Sequence, residues 1–422
     1  MRKKTFWLSS AFLTASLLFS SHAGGAESFF DVGDDHWAYE EVAHLLAEDV
    51  IEAENEGSTA FAVNDNITRA EAAVFLYRAL DVEPDDEEDH HSFTDLAEAD
   101  FGYEEVQSLV RADVFDRADA FHPEDELTRA EMARIFASAF QLTKESTVPF
   151  RDVFQDDWFY PYVQSLLHEG VTSGDGNGAF LPDDSLTKAE FAVFLTRLTD
   201  DDFKVDGQKQ VTDAWEDKTA SLADELNEAV VDGVAQAEED HRDRDFADVE
   251  SEILKGATAS FSDRIVEPFF YDYACWGCDF FMLDMNGQLF DFDAEILDDG
   301  DVLIETKRLA NHLLSGAHLE IVLTYDDGDW KIDTFDSTLP TSKRGFDLSK
   351  QDMIDIIEDS YFVDGDEIAD IEFRESEARE PVESVEHEQM IQADHYYFDV
   401  TLEGGGVFDV VIDSFHGLVS AH

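Results

Sequence analysis

The stretch that decides the fold is five residues long and occurs three times. It reads "ITRAE" at Ile67–Glu71, "LTRAE" at Leu127–Glu131 and "LTKAE" at Leu186–Glu190. Aligning the copies brings other features into register. Upstream stand Phe30-Asp31-Val32, Phe93-Thr94-Asp95 and Phe150-Arg151-Asp152-Val153, then "HWAYEEV" (His36–Val42), "DFGYEEV" (Asp100–Val106) and "DWFYPYV" (Asp157–Val163). An aromatic residue (Phe61, Phe121 or Phe180) sits seven positions before each repeated Thr. The period is about 60 residues, which marks a tandem array of like units.

Each unit reads as helix, loop, helix. In "YEEVAHLLAEDVI" the residues Val42, Leu45, Leu46 and Val50 share one apolar face. The second helix begins at the repeated phrase, where Thr68, Thr128 and Thr187 are fitting N-caps. Glu71, Glu131 and Glu190 fall at the third helical position, so each Thr-x-x-Glu forms a capping box. Capping accounts for Thr and Glu. It leaves out Arg69, Arg129 and Lys188, which lie at the positive end of a helix dipole, where a cation is mildly unfavourable. The chain has only 28 Lys and Arg against 99 Asp and Glu. A cation kept at a helix start in all three copies of so acidic a chain points to anion binding, with a structural cation as the alternative.

This pattern resembles the S-layer homology domain, which is commonly found in tandem threes. The resemblance rests on Phe-x-Asp-Val, His-Trp-Ala, an aromatic-x-Pro and Thr-Arg-Ala-Glu, over roughly Ser28–Asp200. It implies a pseudo-threefold, mainly α bundle of three units, 28–84, 91–144 and 148–200. It also implies inter-unit grooves that bind an anionic, often pyruvylated, secondary cell-wall polymer attached to peptidoglycan. The residues it implies for that binding are Arg69, Arg129 and Lys188, then Trp37, Trp158, Asp31, Asp95, Asp152 and Gly174. The family's Gly-rich loop is intact only in the third unit, "EGVTSGDGNGAFLP". Asp49 and Ala53 replace Gly in the first unit, the second is shortened, and Phe101 takes its Trp position. Because Gly permits backbone that other residues resist, unequal grooves are expected.

The N-terminus has a basic Arg2-Lys3-Lys4, an apolar run from Phe6 to Phe19 and small residues at Ala23 and Ala26. That order predicts a secretory signal peptide over 1–26, cleaved to give a soluble, exported, wall-associated product. The apolar run is shorter than the ~20 residues of a spanning helix. A formal net charge of −71 argues against nucleic acid, whose binding needs basic surface. With 44% hydrophobic residues the chain can still bury cores, unlike a disordered acidic tail. Such charge repels itself at low salt and is screened within about 3 Å at ~1 M, so a salty medium is expected.

After a linker at 201–212 the character changes. Asp213–Asp243 reads as one or two long acidic helices. "QLFDFDAEIL", "DVLIETKRL" and "HLEIVLTY-DDGD-WKIDTFD" read as strands with a hairpin around Asp326–Asp329. This order over 213–340 resembles the NTF2-like α+β cone, a fold that hosts enzymes and binding proteins alike. The last segment, 346–422, has a helix "SKQDMIDIIEDSY" and a hairpin turning at Gly404–Gly406. It faintly resembles a small PepSY-type α+β module.

No catalytic constellation or cofactor motif stands out. "His387-Glu388-Gln389-Met390" lacks the final His of a zinc-protease motif, and Ile391 stands there instead. His90-His91, "GDGNG" and "DDGD" read as solvated acidic loops, without EF-hand spacing. For Cys275 and Cys278, in an exported chain, a structural disulfide is expected, with a redox pair, a zinc site and free thiols as alternatives. The expectation is therefore a non-enzymatic surface protein displaying a C-terminal α+β payload. A wall-localised enzyme or ligand carrier at 213–340, and a subunit of the surface lattice, are the alternatives.

Overall fold

In a computed structural model, the structure describes residues 29–52, 60–80, 90–272, 283, 289–308 and 317–338. Beyond 338 it describes the buried Leu348, two short helical pieces at 353–354 and 356–357, and the strands of a second sheet. The expected signal peptide and the Cys275/Cys278 pair lie outside the described residues.

Each unit contributes two helices. They are α1 (Tyr39–Ala47) and α2 (Arg69–Ala79), α3 (Tyr103–Arg111) and α4 (Arg129–Phe140), and α5 (Tyr160–His168) and α6 (Lys188–Thr199). The units interlock cyclically, since α2 packs on α3, α4 on α5 and α6 on α1. Their repeated phrases meet near the pseudo-threefold axis. There the Ile67 amide donates to Leu186 O, Leu127 to Ile67 O and Leu186 to Leu127 O, at 2.9–3.0 Å. Ile67, Leu127 and Leu186 are fully buried, so the apolar first letter of each phrase fills the axis.

The register of the Phe-x-Asp motif in unit 1 differs from the sequence reading by one residue. Phe29, not Phe30, is buried and packs on Phe61 with ring centroids 5.1 Å apart. Phe93–Phe121 and Phe150–Phe180 make the equivalent pairs, each at 5.5 Å. Two adjacent Phe residues made the register ambiguous, and only packing separates them. Phe30 is exposed.

Residues 201–212, expected as a linker, are a 3-10 turn (Asp201–Phe203) followed by the start of α7 (Gly207–Glu239), a single helix of 33 residues. It is held to unit 3 from its first residue. A Cβ built on Gly207 would sit 2.0 Å from Thr172 O, so only glycine allows this approach. Short helical segments follow: α8 (Glu250–Gly256), α9 (Ala259–Phe261), a π turn (Ser262–Val266) and α10 (Glu267–Asp272).

An antiparallel sheet comes next, β1 (Leu289–Ile296), β2 (Val302–Arg308), β3 (Ala317–Asp326) and β4 (Asp329–Thr338), in the order β1-β2-β3-β4. The expected hairpin is present. Asp326 pairs with Asp329, and both central residues, Asp327 and Gly328, have positive φ. The sheet, α7 and the three units share one continuous apolar core. A second sheet, with order β10-β9-β8-β5, is built from β5 (Ile368–Ala378), β8 (Asp394–Leu402), β9 (Val407–Asp413) and β10 (Val419–Ala421). It has its own core, in which Met353, Ile356 and Ile357 pack with Phe398, Val400 and Ile412. Two short strands, β6 (Val382–Glu383) and β7 (Met390–Ile391), pair with each other. The expected glycine turn between β8 and β9 lies outside the described residues. The C-terminal region is thus α+β with two small antiparallel sheets.

Candidate functional site

The repeated phrase builds the site. Thr68, Thr128 and Thr187 are extended N-caps whose Oγ1 accepts the amide of the Glu three residues on, at 3.2–3.3 Å. The Glu returns the bond through Oε2, which accepts the Thr amide at 2.9–3.1 Å. All three capping boxes are therefore complete. Oε1 of each Glu points the other way, to the cation of another unit. Arg69 Nη1 meets Glu131 at 3.2 Å, Arg129 Nη1 meets Glu190 at 3.5 Å, and Lys188 Nζ meets Glu71 at 2.6 Å. Unit 1 grips unit 2, unit 2 grips unit 3 and unit 3 grips unit 1, so the ion pairs close a ring.

Each arginine is fixed twice more. Arg69 Nε donates to Phe121 O (3.0 Å) and Arg129 Nε to Phe180 O (2.6 Å). Their guanidinium carbons lie over Phe121 and Phe180 at 5.2 and 4.9 Å, within cation–π range. Burial pulls both guanidinium pKa values down, while Glu131 and Glu190 pull them back up. Arg129 is the least accessible of the three repeated cations, with its side chain 8% exposed against 16% for Arg69 and 15% for Lys188. Among the described residues, Nη2 of Arg69 and of Arg129 has no hydrogen-bond partner.

A free helix N-terminus, which would complete an anion site beside each cation, is not available. The first two amides of each helix donate to a neighbouring unit's carbonyls. Arg69 and Ala70 donate to Asp125 and Pro123, Arg129 and Ala130 to Asp184 and Pro182, and Lys188 and Ala189 to Asp65 and Val63. The third amide goes to Thr. Unit packing has used the donors that an isolated helix would offer.

The expected aspartates share one geometry. Asp31 accepts the amides of Phe61 and Ala62, Asp95 those of Phe121 and His122, and Asp152 those of Phe180 and Leu181, all at 2.7–2.8 Å. Each bidentate carboxylate holds a residue at positive φ: Ala62 (62°), His122 (60°) and Leu181 (60°). At Asp95, burial pushes the carboxyl pKa up, but the Phe121 and His122 amides outweigh it and hold the group below its ordinary value. The three aspartates thus shape the loop that carries Phe61, Phe121 or Phe180, and the latter two face Arg69 and Arg129.

Trp37, Phe101 and Trp158 stand two residues before α1, α3 and α5 and are all exposed. Phe101 precedes Gly102, which approaches Ala70 and Val74 of α2 closely. A Cβ on Gly102 would lie 3.2 Å from Val74 Cγ2. Each inter-unit junction therefore draws its cation from one unit and its exposed aromatic, aspartate and loop Phe from the next. Gly174 stands at φ 76°, and a Cβ there would lie 2.4 Å from Ala179 O, so its role in the structure is to close the loop. Sequence reasoning assigned Glu71, Glu131 and Glu190 to capping alone and missed their hold on a neighbouring unit's cation. The signal was present, because the carboxylate and the cation recur together in every copy.

The three units match the S-layer homology domain at residues 28–73, 92–133 and 149–192. The chain carries three such domains in tandem and is a secreted protein of the cell surface. It is 32% identical over 143 residues to the Surface-layer 125 kDa protein of Lysinibacillus sphaericus, covering 33% of this chain and 12% of that one. It is 31% identical over 199 residues to S-layer protein EA1 of Bacillus anthracis, covering 45% and 22%. A Cellulosome-anchoring protein of Acetivibrio thermocellus is 34% identical over 87 residues, covering 18% and 20%. The matched segments span less than a quarter of each of these relatives.

Proposed function

We propose that the chain is a non-enzymatic surface protein held non-covalently to the bacterial cell wall by its three N-terminal units, in a high-salt medium. The ligand is an anionic, pyruvylated secondary cell-wall polymer attached to peptidoglycan. The observation that carries this reading is threefold recurrence. At each of three equivalent junctions one unit supplies a cation and the next supplies an exposed aromatic ring two residues before its first helix, in a protein with very few cations to spend. Exposed rings suit the apolar faces of sugars, and a partly buried cation is stronger towards a carboxylate than one in bulk water.

In this reading Arg69, Arg129 and Lys188 contact the anionic substituent, with Arg69 and Arg129 offering Nη2. Trp37 and Trp158 stack on sugar rings. Asp31, Asp95, Asp152 and Gly174 shape the loops that the polymer meets. Lys188 offers a point charge without the fork of arginine. The net charge requires such local pockets, because the overall field of the protein repels an anionic polymer.

The region from 213 to 340 is read as an NTF2-like α+β unit and that from 346 to 422 as a small PepSY-type module, both displayed by the anchor. The relatives named for surface layers and for anchoring support attachment as the shared role of the repeats. The test is co-sedimentation of the full chain with Bacillus wall sacculi in molar NaCl. Sacculi with the polymer intact pellet the protein, and sacculi stripped of it by acid do not. Equal pelleting by both kinds refutes polymer recognition.

A further inference from the structure

The junction between units 2 and 3 is built differently from the other two, because the C-terminal region is packed against it. Trp215 of α7, fully buried, donates through its indole N–H to Pro149 O at 2.7 Å. Trp330 of β4 donates to Arg151 O at 2.9 Å, and the two indoles meet edge to face at 5.1 Å. The two carbonyls flank Phe150. From this segment the Arg151 amide donates to Gly178 O (2.8 Å), and Asp152 holds the Phe180 and Leu181 amides. Phe180 then presents both its ring and its carbonyl to Arg129.

The same hairpin also reaches the turn that precedes α5 in unit 3. Trp330 and Tyr325 pack on Phe154 at 6.3 and 4.9 Å. Phe154 opens the turn that Asp157 Oδ2 closes at 2.8 Å, and Trp158 follows that turn directly. Among the described residues, units 1 and 2 have no such cover. Phe30, Ser92 and Thr94 are exposed, whereas their unit 3 counterpart Pro149 is buried and Arg151 is partly covered.

We infer that Trp215 and Trp330 are positioning residues for the junction between units 2 and 3, so that one of the three wall-binding sites is completed by the C-terminal region. This rests on the wall-binding reading for its consequence, but the relay itself has a readout that needs no ligand. In Trp330→Phe the ring stays and the N–H is lost. Hydrogen exchange at the Phe180 and Leu181 amides then speeds up about tenfold, while Phe61, Ala62, Phe121 and His122 keep wild-type rates. Uniform acceleration at all six, or none at Phe180 and Leu181, overturns the relay.

Binding to Bacillus sacculi by the full chain follows the same split. Trp330→Phe weakens it about three- to tenfold, on the scale of one lost hydrogen bond. The effect disappears in a Trp158→Ala background and persists in a Trp37→Ala background. An equal effect in both backgrounds overturns the assignment to this junction. Failure of the wild-type chain to bind sacculi at all removes the wall-binding reading, and the exchange rates then decide the relay alone.

Discussion

At the residue scale, the repeated Glu carries more than its local role. One carboxylate oxygen completes a capping box and the other holds the preceding unit's cation around the ring, at 3.2 Å for Glu131. Removing the charge while keeping the shape isolates the second role. Glu131→Gln is expected to cost about 1 kcal/mol in urea titration, the low end for a charged hydrogen bond, because the side chain is a third exposed. Glu131→Ala loses the cap as well and is expected to cost about 2 kcal/mol. Asp95 gives a pH signature. Its carboxyl is held below the unfolded value, so its contribution is full above an unfolded pKa of about 3.9 and is lost as pH falls through the folded value. Asp95→Asn is therefore less stable than wild type at pH 7, and the difference narrows below about pH 4. A gap that widens on acidification contradicts this. Thr, Glu and the cation were all legible in the sequence. The sharing of Glu between units was not, because a capping box is local and its second oxygen acts 61 to 117 residues away.

At the scale of elements, the helices and hairpins were legible from period and turn chemistry, and the seams between them were not. The missing glycines of units 1 and 2 illustrate this. Asp49 and Asp113 take up the left-handed backbone of Gly170, with φ of 57°, 60° and 71°. The loop geometry survives without glycine at some conformational cost, since only burial and hydrogen bonding elsewhere hold these residues there. The expected linker was misread because "DDFKVDG" looks like a polar break. In the structure Val205 donates to Gly170 O at 3.0 Å and Gly207 abuts Thr172. Gly207→Ala forces backbone apart at that seam and is expected to destabilise the chain by about 2–3 kcal/mol, in the range of overpacking, with a lowered urea midpoint. A neutral substitution would show that α7 is not seated on unit 3.

At the scale of the whole molecule, the charge of −71 and the three-unit anchor must be reconciled. Screening relieves the self-repulsion, so the melting temperature is expected to rise from low to molar NaCl; a steady fall contradicts a salt-adapted surface. The shared core that joins the anchor to the first C-terminal sheet makes the displayed region part of the anchor's architecture. Among the described residues no helix is long and apolar enough to cross a membrane. The proposed attachment to the wall rests on the three junctions. The exposed rings test that proposal best, because more than half of each is open to solvent. The decisive measurement is co-sedimentation of the Trp37→Ala, Phe101→Ala, Trp158→Ala triple variant with Bacillus sacculi in molar NaCl, alongside its melting curve. The account predicts an unchanged melting temperature and a loss of pelleting of at least tenfold. Undiminished pelleting by the folded variant would contradict it.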